Sequence, residues 1–159
     1  MNVYRVTPAR HACDLTGEGS CLHGGRWNPP GIPMTYTSSS VALASIECFV
    51  NTPSEIVSTS NFQRVDIWIP DDATSEVIQT TDLPPDWPNT PAPAFLSEIG
   101  RKWAESGSSL ILIVPSAALG GHENNILINP RHPQMNEIKV VSILPFSFDL
   151  RLIKWGSSI

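Results

Sequence analysis

The segment SVALASIECFV, residues 40–50, constrains the fold more than any other stretch of the chain. Its spacing is helical, Ser38 or Ser39 is a suitable N-cap before it, and NTPSE ends it at Pro53. Val41, Leu43, Ala44, Ile46, Cys48, Phe49 and Val50 leave no polar stripe, so the helix is expected to be buried nearly all round. Enclosing such a helix requires a real core. A chain of 159 residues can supply one as a single domain over 1–159, since about 150 residues bury roughly 70% of their extended surface. The same helix carries one carboxylate, Glu47. An ionised group in that setting must be paired, heavily hydrogen-bonded or protonated, because uncompensated burial is costly.

Strand patterns surround this helix. NVYRVTP is a short strand stopped by Pro8, and MTYTSS is another, entered through NPPGIP, with a loop between the two. FQRVDIWIP alternates Val65, Ile67 and Ile69 with Arg64, Asp66 and Trp68, and Pro70 ends it. Five prolines between Thr81 and Ala94 forbid regular structure there and favour a stiff extended loop, a kind of segment that is often functional in a small domain. AFLSEIGRKWAESG sets Phe95, Ile99 and Trp103 on one helical face, with Gly107 as its stop. SLILIVPS is a buried strand, and IKVVSIL and FDLRLIKW are expected to pair as a hairpin across PFS. The class is therefore α+β, with more strands than helices and no βαβ alternation.

Charge and motif content exclude several functions. A net charge of -5 with ten lysines and arginines offers no extended nucleic-acid footprint. Nothing approaches eighteen consecutive apolar residues, and the first ten residues lack a signal-peptide core, so the expected location is the cytoplasm, without a membrane partner. Cys13, Cys21 and Cys48 do not make a disulfide framework. His11, Cys13, Cys21 and His23 contain no C-x-x-C, and no metal is expected. GEGSCLHGG is neither a P-loop nor a dinucleotide fingerprint, and no G-x-S-x-G is present.

Four residues stand out by type and order. Arg26 lies in GGRWNPPG, where Gly24 and Gly25 let the backbone approach a ligand and the guanidinium can hold phosphate in a fork. Tyr36 can present a ring face to a planar ligand or pack in the sheet. Glu47 is either a structural ion-pair partner of Arg5 or Arg26, or a carboxylate at the floor of a cleft. Ser116 follows a strand that ends at a proline, where its hydroxyl emerges into a loop or caps a turn.

With YR at residues 4–5, GGRWNPPGIPMTYTSSSVALASIE at 24–47, the LP..W...PAP loop at 83–93, IGRKW at 99–103, VPS at 114–116 and NNILINPRHP at 124–133, the chain resembles the RES domain family. That family supplies the toxin of bacterial RES-Xre type II toxin-antitoxin pairs. The resemblance implies a compact fold similar to ADP-ribosyltransferases, with central mixed or antiparallel sheets and a few helices. It implies NAD+ as substrate rather than as a prosthetic group, with Arg26, Tyr36, Glu47 and Ser116 at the site and Arg5 as a second phosphate contact or a structural group. The implied activity is cleavage of the nicotinamide–ribose bond, by glycohydrolysis or phosphorolysis. Transfer of ADP-ribose to a protein, or nucleotide binding without turnover, are the alternatives. An Xre-family antitoxin would cover the cleft in a hetero-oligomer and carry the DNA contacts.

Overall fold

The computed structural model describes residues 1–153. The two alternating segments β1 (Asn2–Pro8) and β3 (Phe62–Trp68) pair antiparallel along their whole length, from Asn2 opposite Trp68 to Pro8 opposite Phe62. Around this pair lie β2 (Thr35–Ser38), β4 (Ser75–Val77), β5 (Ile111–Pro115), β6 (Asn124–Ile128) and β7 (Lys139–Phe146). Together they form one seven-stranded sheet in the order β4-β5-β6-β2-β1-β3-β7. Among the described residues only β4 and β5 pair in parallel. The helices are α1 (Glu18–His23), α2 (Val41–Val50), α3 (Ser54–Thr59), α4 (Ala94–Ser106) and α5 (Leu150–Ile153). The α+β class and the mixed sheet expected from the sequence are both present. No helix among the described residues is long and apolar enough to cross a membrane.

The sheet is nearly divided in two. β1 and β2 share a single paired position, Tyr4 opposite Ser38. An antiparallel ladder continued from there would pair Arg5 with Thr37, Val6 with Tyr36 and Thr7 with Thr35. Instead the strands part, and Arg5, Val6, Thr7, Thr35 and Tyr36 line a cavity. Two half-sheets, β4-β5-β6-β2 and β1-β3-β7, thus frame the opening.

Several expectations are corrected. Helix α2 is not buried all round: Leu43 and Ala44 are its buried residues, whereas Ala42, Ile46 and Val50 are exposed. Its N-cap is Ser40, whose Oγ accepts the Leu43 N–H at 3.1 Å, rather than Ser38 or Ser39. The helix lays one face on β1 and β3 through Ala44, Val6 and Phe62. The segment between β1 and β2 holds α1, and Pro53 opens α3 as well as ending α2. The buried stripe of α4 runs Leu96, Gly100 and Trp103, with Phe95 and Ile99 on its flank. Finally, β7 runs through Pro145 as an edge strand paired only with β3, and α5 follows, so the expected hairpin across PFS does not form. An edge strand tolerates a proline whose missing N–H would face solvent. The end of the second hairpin segment, residues 154–155, lies outside the described residues.

Three tryptophans pack the two loops beside the cavity against α4 and the sheet. Trp27 from the glycine-rich loop, Trp87 from the proline-rich loop and Trp103 from α4 share one core with Met34, Leu96, Leu112, Val114 and Leu127. Burying a large aromatic stabilises by about 1.5–3 kcal/mol, so the rings of Trp27 and Trp87 are strong anchors for two loops that have little regular structure, and Trp103 holds α4 against them.

Candidate active site

The cavity between the half-sheets has a volume of about 910 Å³ and is lined by Arg5, Arg26, Tyr36, Glu47 and Asn125, among others. Ser116 lies just behind this wall, fully buried at 0% exposure. The structure therefore brings together all five residues singled out from the sequence.

Glu47 is half-buried on α2 and turned to the cavity wall. Its Oε1 accepts from Ser116 Oγ at 2.7 Å and from Asn125 Nδ2 at 2.6 Å. Among the described residues no guanidinium or ammonium forms an ion pair with it, so neither Arg5 nor Arg26 is its structural partner. Two neutral donors on one oxygen hold the carboxylate in place and leave Oε2 to the cavity. Ser116 reaches Glu47 because β5 ends at Pro115 beside β6, with Pro115 opposite Asn124. Its hydroxyl holds the carboxylate rather than emerging into the loop.

Among the described residues neither Arg5 nor Arg26 has a carboxylate partner. Arg5 Nη1 donates to the Asp14 carbonyl at 2.5 Å, and burial pulls the guanidinium pKa down, opposed by the nearby Asp14 and Cys48. Arg26 Nη1 donates to the carbonyls of Trp87 at 2.9 Å and Asn89 at 3.1 Å, which ties the proline-rich loop to the glycine-rich one. Burial lowers the Arg26 pKa too, opposed by the charges of Glu47 and Tyr36. A guanidinium cannot shed its proton at neutral pH, so each remains a partly desolvated cation facing the same space. Gly25 proves necessary for an internal contact. A Cβ there would lie 2.6 Å from the Tyr36 hydroxyl, so this glycine, which also lines the cavity, is needed to admit the tyrosine.

Tyr36 is a packing and hydrogen-bonding residue as well as a wall of the cavity. Its hydroxyl donates to Asn28 Oδ1 at 2.7 Å and accepts the Trp27 N–H at 3.1 Å. Burial holds the phenol pKa well above its usual 10.0, with the Trp27 N–H and Arg26 pulling the other way. The neutral phenol is the form the fold favours, so its contribution to stability is intact below pH 10.0 and is lost as the pH climbs past that value. Denaturation measured from pH 8 upward is expected to show stability falling above about pH 10, with the slope reduced in Tyr36→Phe; an unchanged slope in that variant would remove Tyr36 as its source.

The RES domain family profile matches residues 2–149. The chain belongs to the RES domain family. It is 41% identical to the protein named Toxin Res from Yersinia enterocolitica, over 96% of this chain and 99% of that protein. It is 37% identical to the Prs ADP-ribosylating toxin of a Sphingobium species, over 94% of each. A solved structure, the M. tuberculosis MbcT-MbcA toxin-antitoxin complex, shares the fold with a TM-score of 0.75 at 18% identity, covering 97% of this chain and 87% of that one. The chain thus stands among RES-domain toxins.

Within this RES domain the site contains one residue that the sequence pattern did not single out, Asn125. Its position in NNILI carries no chemical signature, and only the register of β6 against β2 and β5 brings it to Glu47. The NPRHP block that follows is structural: buried Asn129 donates to the Ala104 carbonyl at 3.0 Å and ties down the end of α4. Among the described residues no three His, Cys, Asp or Glu side chains gather as metal ligands.

Proposed function

We propose that this RES domain is a toxin that cleaves the nicotinamide–ribose bond of NAD+. The observation that carries the proposal is one fixed carboxylate and two guanidiniums lining a single cavity, with no ion pair to either guanidinium among the described residues. NAD+ has the matching charges, a cationic nicotinamide and an anionic pyrophosphate. Arg5 and Arg26 suit the pyrophosphate, because guanidinium forks pair with phosphate oxygens. Tyr36 forms a flat wall beside them.

When the C–N bond breaks, its electron pair leaves with the nicotinamide, which becomes neutral, and positive charge moves onto the ribose. The Glu47 carboxylate stabilises that oxocarbenium-like state and can accept a ribose hydroxyl hydrogen bond. Ser116 and Asn125 keep it aimed, so no reorganisation is needed as the charge develops. The acceptor that captures the ribose is water, inorganic phosphate or a protein side chain. The likeness to a relative named as an ADP-ribosylating toxin favours protein transfer as the second reading, and both readings share the bond-breaking step. An Xre-family antitoxin over the cleft, with both proteins in the cytoplasm, would keep the activity in check and supply the DNA-binding surface that this acidic chain lacks.

Purified protein incubated with NAD+, with and without inorganic phosphate, tests the proposal by chromatography of the products. The expected result is release of nicotinamide, lost in Arg26→Ala, with ADP-ribose or its 1''-phosphorylated form naming the acceptor. NAD+ that stays intact with phosphate, water and a cell extract as acceptors would refute the cleavage reading and leave nucleotide binding in its place.

A further inference from the structure

The amide of Asn125 is fixed at both ends. Nδ2 donates to Glu47 Oε1 at 2.6 Å, and Oδ1 accepts from Ser38 Oγ at 2.8 Å. An ionised carboxylate can only accept, so the NH2 group must face Glu47 and the amide oxygen must face away. Ser38, only 3% exposed, supplies the hydroxyl that the amide oxygen meets. The two residues are directly opposite each other in the β2–β6 ladder. Ser38 is also the one position at which β2 still pairs with β1, so it sits where the sheet divides and the cavity begins. Two residues later, Ser40 caps the helix that carries Glu47.

We infer that Ser38 and Asn125 form a hydrogen-bond relay that sets the direction of the Glu47 carboxylate, Ser38 acting only through Asn125. This rests on the proposed cleavage of NAD+. Without the Ser38 hydroxyl the Asn125 amide is held only at its Glu47 end, so it can swing out of the direction that aims the carboxylate. Both are positioning residues. Because the aim of Glu47 matters most as charge develops on the ribose, the relay should act on kcat and leave KM for NAD+ nearly unchanged.

The test is steady-state kinetics on NAD+ for Asn125→Ala, Ser38→Ala, Ser38→Thr and the Ser38→Ala/Asn125→Ala double variant. Asn125→Ala is expected to lower kcat on the order of 10²-fold and Ser38→Ala on the order of 10-fold, with KM within about twofold. Ser38→Thr, which keeps the hydroxyl on a strand, should restore most of the loss, and the double variant should be no slower than Asn125→Ala alone. Multiplying losses, a loss confined to KM, or a Ser38→Ala variant as fast as wild type would each overturn the relay. A stability cycle on the same variants separates this from failure of the cleavage reading. If wild-type protein leaves NAD+ intact, that reading fails on its own. The relay then stands on a coupling of about fivefold or more in the unfolding constant between Ser38→Ala and Asn125→Ala, and falls if the two effects are independent.

Discussion

Glu47→Gln is expected to lower kcat for NAD+ cleavage by about 10³-fold, with KM within a few-fold and the fold intact. Glutamine keeps the size of the side chain and an amide oxygen at Oε1, so Ser116 and Asn125 retain their acceptor. What it removes is the negative charge beside the ribose, the term that matters only as the C–N bond breaks. Glu47→Ala is a blunter probe. It leaves the fully buried Ser116 hydroxyl without its acceptor, at a cost of about 1–3 kcal/mol, so thermal melts should place Ala below Gln and Gln close to wild type. A Gln variant that turns over NAD+ at the wild-type rate would show that the site does not use the charge of Glu47.

Parts of this fold and site are legible in the amino-acid sequence and parts are not. β1, β3 and β5 were legible because each carries an alternating or continuous apolar run that a proline or turn ends, and α4 because its apolar spacing is helical and Gly107 closes it in the left-handed conformation, at φ 61°. β6 was not, since Asn124 and Asn125 are poor strand formers and the strand exists because β2 and β5 pair with it on both sides. Pro53 and Pro145 were read as breaks, yet one precedes a new helix and the other lies on an edge strand. The site followed the same division. Arg26, Tyr36, Glu47 and Ser116 were recognisable from their order along the chain. The local role of Glu47 is not legible there, because the unbroken apolar pattern of α2 predicts an enclosed helix. With Ala42, Ile46 and Val50 exposed, Glu47 never sits in an apolar interior, and hydrogen bonds from two neutral donors replace the ion pair that full burial would have demanded.

Gly100→Ala should be the most damaging single methyl in the RES domain. A Cβ at Gly100 would lie 1.7 Å from the Trp27 carbonyl oxygen and 2.8 Å from its carbon. Both are backbone atoms, so no rotamer change can relieve the overlap, and either α4 or the glycine-rich loop must move. Alanine is the better helix former by about 1 kcal/mol, which works in the opposite direction. Overpacking against backbone costs more than that, about 3 kcal/mol or above when neither side can yield. For a chain of this length that corresponds to a fall in Tm of roughly 6–12 °C.

The damage should reach the site, because the atom struck belongs to the residue after Arg26. Displacing Trp27 pulls on the N–H that Tyr36 accepts and on the guanidinium that holds the proline-rich loop. The expected kinetic signature in the surviving folded fraction is a raised KM for NAD+ that exceeds any change in kcat, the reverse of the Glu47→Gln pattern. Gly19→Ala is the matched control: it lies in α1, a Cβ there meets nothing within 4 Å, and its Tm should equal or exceed that of wild type. Equal melting temperatures for Gly100→Ala and Gly19→Ala would mean that α4 does not rest on the Arg26–Trp27 backbone, and that the arginine loop is positioned by its tryptophan alone.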